Sequence, residues 1–210
     1  MLDWTEYAKI FTSMLVIVNP LVAVPIFLGL TRGHAPAERQ RIARITAIAV
    51  GFILTVACLG GEQVLGFFNI SIAAFRVGGG ILILTMALSM LTAQQSGARH
   101  TPEEAAEAEE KDSIAVVPLA IPLLAGPGAI STVIIYANQS HGVLYTGFLV
   151  TSGIAVAIAV WMALSLAAPI LVKLGKTGMN VATRLMGLLL VAVSVEFITG
   201  GLAELLPGLA

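Results

Sequence analysis

Two proline-bearing stretches, about half the chain apart, interrupt apolar runs: Asn19-Pro20-Leu21-Val22-Ala23-Val24-Pro25 and Ile121-Pro122-Leu123-Leu124-Ala125-Gly126-Pro127-Gly128. Pro20 aligns with Pro122 and Pro25 with Pro127, both at an offset of 102. Proline lacks a backbone donor and collides with the preceding turn, so an interior pair breaks a helix and frees peptide groups. In the second stretch, Gly126-Pro127-Gly128 predicts a stop after Ala125 and a new start at Pro127, whose missing N–H is not needed there. The N–H groups of Gly128, Ala129 and Ile130 would then face the break, with Ser131 and Thr132 in the next turn. Such a start suits a carboxylate, and the carbonyls that end the preceding half-helix, near Leu124 and Ala125, suit an ammonium group. The first stretch predicts the same parts. Asn19 adds an amide, carbonyls at residues 18–23 lose donors, and Pro25 starts the second half-helix toward Arg32. Facing each other, the two breaks would hold a small zwitterion with little room for a side chain. Prolines often merely kink membrane helices. The matched double pair, with Gly on both sides of Pro127 and Asn before Pro20, favours a site instead.

Three ionisable residues, Arg76, Arg184 and Glu196, also fall inside apolar runs, where charge is costly and functional by default. Arg76 and Glu196 are expected at similar depth, paired or sharing a polar cavity. The alternative role for Glu196 is to carry a coupling proton. Arg184 is near enough to a span end to snorkel. Gly78-Gly79-Gly80 strips side chains from most of a helical turn, which predicts close helix packing or, alternatively, a sliding surface.

The elements that must position these groups follow from composition. Of 210 residues, 58% are hydrophobic and only 11% charged, and the charges cluster between long apolar runs. This predicts an all-α integral membrane protein with six spans, at 6–31, 43–61, 70–92, 113–137, 143–171 and 180–203. The period-two alternation of a membrane barrel is absent. The first run is preceded by Asp3 and Glu6 instead of a basic region, so it reads as a retained span, not a cleaved signal. Cys58 is the only cysteine and can form no internal disulfide.

Arg32, Arg39, Arg41, Arg44, Arg99, Lys111, Lys173 and Lys176 lie in three loops of one face, against Lys9 on the other. That asymmetry predicts basic loops in the cytoplasm and both termini outside. The Arg32–Arg44 loop could touch anionic headgroups, although the topology signal alone accounts for it. A net charge of -1 gives no reason to expect nucleic acid.

Arg76-Val77-Gly78-Gly79 matches Arg184-Leu185-Met186-Gly187 at an offset of 108, which extends the repeat, and Gly51 and Gly153 add a weaker coincidence at 102. The organisation read from this is two inverted three-helix repeats, residues 1–92 and 113–210, with discontinuous first and fourth helices. The cytoplasmic linker, 93–112, contains Thr101-Pro102-Glu103-Glu104, a helix-start signature in what reads as a solvated segment.

The Asn-Pro-x4-Pro of Asn19–Pro25, the Pro-x3-Gly-Pro-Gly-x2-Ser of Pro122–Ser131 and the Arg-x-Met-Gly of Arg184–Gly187 resemble the MarC/SnatA family, in order and across all six spans. The resemblance implies a six-helix protein of the prokaryotic plasma membrane. Some members transport small neutral amino acids, glycine and alanine; others carry a multiple-antibiotic-resistance name. It also implies that substrate binds between the discontinuous first and fourth helices. The chain departs from the usual pattern at Glu196, where glutamine is expected, so no coupling scheme carries over to that residue.

The function expected is therefore secondary transport of glycine, alanine or a similar amino acid, with efflux of another small solute or drug-like compound as the alternative. A channel lacks a ring of charge. An intramembrane hydrolase would need a base beside Ser131, yet His34, His100 and His141 fall in loops or at span ends. No enzyme activity, cofactor or metal is expected. The partners are a small-molecule substrate and the lipid bilayer, and nothing in the sequence opposes a homo-oligomer.

Overall fold

Asn19 is the first point at which helix cannot continue. Pro20 offers no donor to the Val16 carbonyl, and Asn19 itself turns left-handed at φ 49° and ψ 66°. Asparagine is among the few residues that visit this region readily. The expected first span is thus two helices, α1 (Trp4–Val18) and α2 (Pro20–Leu30). The computed structural model describes residues 4–92, 115–139 and 142–209. The expected linker helix start at Thr101 lies outside them, as does His141.

The expectation for Pro25 is corrected here. It lies inside α2 and on its exposed side, while Pro20 opens that helix. Pro20 therefore plays the part that Pro127 plays in the second half, and the two breaks stand 107 residues apart, close to the 108 of the arginine motifs and not the 102 of the proline alignment. One missing donor with a left-handed residue before it breaks a helix. A second proline one turn later only leaves the Leu21 carbonyl without its usual donor.

Helix α3 (Pro36–Phe67) and α4 (Ile72–Leu91) follow. The first outruns its expected span because Pro36 supplies a ready first turn and the charged residues after it continue the same helix. Ser71 caps α4, its Oγ accepting from the Ala74 N–H at 3.2 Å.

The expected fourth span is also two pieces. Ala115–Leu124, here α5, is wound as a π-helix, with the Ala125 N–H donating to the Ala120 carbonyl at 2.8 Å. Pro122 has no N–H to donate to the Pro118 carbonyl, so an α-register is interrupted at that point. The chain then bends at Ala125 and restarts at Pro127 as α6 (Pro127–Asn138). Among the described residues, five helical stretches are long and apolar enough to span a bilayer: Trp4–Leu30, Pro36–Phe67, Ile72–Leu91, Val143–Ser165 and Thr177–Leu205.

Helix α7 (Val143–Ser165) ends earlier than expected. Residues beyond it belong to α8 (Ala167–Leu205), which is interrupted at Gly175, whose positive φ of 64° with ψ 178° favours glycine. The expected sixth span lies in the part after that interruption.

Packing places the two broken helices inside the bundle. Helix α1 lies on α6, and α2 on α5. Helix α3 touches both α5 and α6, while α7 touches both α1 and α2. The pairs α3–α7 and α4–α8 make the broadest interfaces.

Small residues permit these approaches. A Cβ on Gly80 would lie 3.0 Å from the Ser194 carbonyl, one on Gly201 2.7 Å from the Ala73 carbonyl, and one on Gly51 3.1 Å from the Ala157 Cβ. Close packing thus accounts for Gly79 and Gly80, whereas Gly78 faces open space.

Gly201→Ala should lower the thermal unfolding midpoint in detergent, because backbone on α4 would have to yield, at a cost of about 1–3 kcal/mol. Gly78→Ala should leave the midpoint unchanged or raise it, since alanine is the better helix former by about 0.5–1 kcal/mol. The reverse order would refute the assignment of packing roles.

Candidate functional site

The break in the first helix is buried. Asn19 is 7% exposed, Val18 and Pro20 are buried beside it, and its side-chain Nδ2 has no hydrogen-bond partner among the described residues. Its backbone is occupied: the N–H donates to the Leu15 carbonyl at 2.9 Å, and the carbonyl accepts from the Val22 N–H at 3.2 Å. A buried amide donor left open in an apolar bundle costs about 1–3 kcal/mol. Ala23 is buried one turn into α2, and Leu21 and Val22 are half-buried.

The second break is equally enclosed. Leu124, Ala125 and Gly126 are buried on one side of it, and Gly128, Ala129 and Ser131 on the other, while Pro127 itself is exposed. Helix α6 has no side-chain cap. Its first turn therefore leaves the Gly128 and Ala129 N–H groups unbonded to other described residues. The Ile130 N–H, expected to be free, donates to the Gly126 carbonyl at 3.0 Å and closes the first helical turn. Both hydroxyls turn back onto the same helix: Ser131 Oγ donates to the Pro127 carbonyl at 2.7 Å, and Thr132 Oγ1 to that of Gly128 at 2.8 Å. Ser131 thus keeps only acceptor capacity for a ligand. Pro122 lies in the π-helical segment, one missing donor before the break.

Helix α6 starts against α1 just before the first break. A Cβ on Gly128 would come 4.0 Å from Ile17, two residues before Asn19, and 3.0 Å from Ile83 on α4. Gly79, also on α4, lies against Ser131, where a Cβ would sit 2.7 Å from the serine Cβ. The space around the α6 start is therefore narrow and bounded by apolar side chains. What the arrangement offers chemically is two oriented N–H groups, one buried amide donor and carbonyls without their usual donors, and no titratable side chain belongs to that set.

The intramembrane charges are placed differently from expectation. Arg76 pairs with Glu204 at 3.1 Å, not with Glu196. Its guanidinium fits over Gly200, where a Cβ would meet Cζ at 2.7 Å, and it stands 6.0 Å from the Phe197 ring. Residues 196, 200 and 204 share one stripe of α8, so both acids flank the arginine, and the long side chain reaches toward the helix end. Glu196 is exposed, and the Tyr136 ring packs edge-on against Phe197. Arg184 is exposed as well.

Glu204, the partner of Arg76, was missed from sequence. Glu204 fell just past the estimated end of the last span, and only the helix continuing to Leu205 reveals its spacing from Gly200.

The sequence profile described as "MarC family integral membrane protein" matches residues 4–206. The chain belongs to the MarC family. Among similar MarC relatives, the UPF0056 membrane protein YhcE of Escherichia coli K12 is 38% identical over 208 residues, covering 99% of this chain and 96% of that protein. The UPF0056 membrane protein YvbG of Bacillus subtilis is 43% identical over 200 residues, covering 94% of each. The UPF0056 membrane protein MJ0972 of Methanocaldococcus jannaschii is 38% identical over 195 residues, covering 93% of this chain and 86% of that protein. No solved structure matches. This MarC chain is thus an integral, multi-pass membrane protein with prokaryotic relatives, and its two broken helices carry the motifs by which it resembles that family.

The left-handed turn at Asn19 makes a stability prediction. Asn19→Gly should unfold near the parent midpoint, since glycine accepts φ 49°. Asn19→Val should lose about 1–2 kcal/mol or more, the cost of forcing an ordinary side chain left-handed. Equal midpoints for the two variants would contradict the geometry.

Proposed function

We propose that this protein is a secondary transporter of small neutral amino acids, glycine or alanine, which binds the zwitterion between the breaks of its first and fourth helices. The observation that carries the reading is the buried, unpartnered Asn19 amide at the first break, together with the uncapped first turn of α6, whose Gly128 lies next to Ile17 of α1. The Gly128 and Ala129 N–H groups would take the carboxylate. Carbonyls at the end of α1 and α5 would take the ammonium group, with Asn19 completing the set. The closeness of Ile17, Ile83 and Met86 to Gly128 supports a ligand with almost no side chain.

An inverted repeat is part of the same proposal. The contacts support it because they are largely preserved when the halves are exchanged: α1 on α6 becomes α5 on α2, α3 across both pieces of the fourth helix becomes α7 across both pieces of the first, and α4 on α6 becomes α8 on α2. Exchange symmetry of this kind permits one site to open alternately to either side. The distribution of Lys and Arg supports basic loops in the cytoplasm and both termini outside, in the plasma membrane of a prokaryote.

Purified protein in liposomes should accumulate or exchange labelled glycine. Flat counts under every imposed gradient would reject the substrate class, and uptake of a different solute in the same assay would favour an efflux carrier. Asn19→Gly, which keeps the backbone turn, should weaken glycine binding roughly tenfold or more, as loss of a hydrogen bond to a charged group does. Gly128→Val should abolish uptake by filling the space next to Ile83.

A further inference from the structure

An external groove, distinct from the breaks, runs between α3 and α7 with a volume of 480 Å³. Its floor is made by the small residues Ala47, Gly51 and Ala157, and its walls by exposed apolar side chains, among them Phe52 at 68% and Ile158 at 50% exposure. One end alone is charged. The groove surface itself is almost wholly apolar: Arg44 lines that end chiefly with its aliphatic stem, is exposed, and has no ion-pair partner among the described residues. Trp161 lines the same end, because Gly51 faces Ala157 and the antiparallel register brings Ala47 level with residue 161. That end is closed beyond the groove by Gln40 and Ser165, whose side chains are hydrogen-bonded at 2.9 Å.

The geometry points to a binding site for one anionic phospholipid of the leaflet next to the basic loops, its phosphate on Arg44 and an acyl chain along the floor. Length decides this. From Arg44 to Thr55 is eleven residues of α3, about 16 Å of helix axis, which is about half of a hydrocarbon core of roughly 30 Å. A groove that accepted a helix of a second copy would continue through the other leaflet, and this one stops at Thr55 and Ile154. Charge supports the same occupant. A cation and an indole at one end, with an apolar floor below, match an anionic headgroup followed by its chain. The site is independent of what the breaks bind.

The chain has two tryptophans, Trp4 and Trp161, so Trp4→Phe leaves the groove residue as the single reporter. Full-length Trp4→Phe protein is reconstituted into vesicles that contain either brominated phosphatidylglycerol or brominated phosphatidylcholine, and quenching of Trp161 is read as relative association. Phosphatidylglycerol should associate about fivefold better, the attraction of one basic side chain to an anionic lipid surface. Adding Arg44→Gln should bring the two lipids to equality, while Arg41→Gln, three residues away and outside the groove, should leave the preference intact. Equal quenching in the parent, the same loss with Arg41→Gln, or shielding of Trp161 from both lipids by a second copy would each overturn the assignment.

Discussion

Hydrocarbon has no hydrogen bonds to give, so a peptide group that loses its helical partner inside a bilayer must be enclosed by protein or by a polar cavity. This bundle contains two such places, at Asn19 and at Gly126, and much of its packing can be understood as what encloses them. Helix α3 lies along both pieces of the fourth helix, and α7 along both pieces of the first. Thr46 on α3 donates to the Ala115 carbonyl at 3.0 Å, which anchors the start of the π-helical segment. At the far end of the fourth helix, the Tyr145 hydroxyl on α7 donates to the Tyr136 carbonyl at 2.9 Å. The broken helices are thus held by neighbours, because their own backbone ladders cannot hold them.

The supporting pairs achieve this closeness with glycine. Where α4 meets α8, Gly80, Gly187 and Gly201 each place backbone within reach of the opposite helix. Gly200 does something different: the space it leaves is taken by the Arg76 guanidinium, which then reaches Glu204. An arginine in that position would be costly if it faced lipid alone. Here it is braced by a carboxylate and the Phe197 ring, near a helix end. That pair is partly exposed on the acid side, so its value lies in placing the charge more than in stability.

The same arrangement has a consequence for motion. A helix with an intact ladder must break bonds to bend, whereas at Asn19 and Gly126 the ladder is already open. Displacement of α2 relative to α1, or of α6 relative to α5, therefore need not break a continuous helical ladder. Apart from Pro127, the residues at the two breaks are buried.

Much of this was legible in the residues alone. Apolar runs of crossing length, sparse clustered charge and the prolines determined a helical membrane protein with interruptions near residues 19 and 126, because hydrophobic length and a missing donor act locally. Three matters depended on the tertiary structure. Sequence alignment paired Pro20 with Pro122, but the local backbone pairs it with Pro127, since a left-handed Asn19 can end a helix where glycine does so in the other half. Sequence depth paired Arg76 with Glu196, but the register of α4 on α8 sets the guanidinium over Gly200, and the long side chain then extends outward to Glu204. And only packing could bring Ile17 against Gly128, because more than a hundred residues separate them and no local preference encodes that approach.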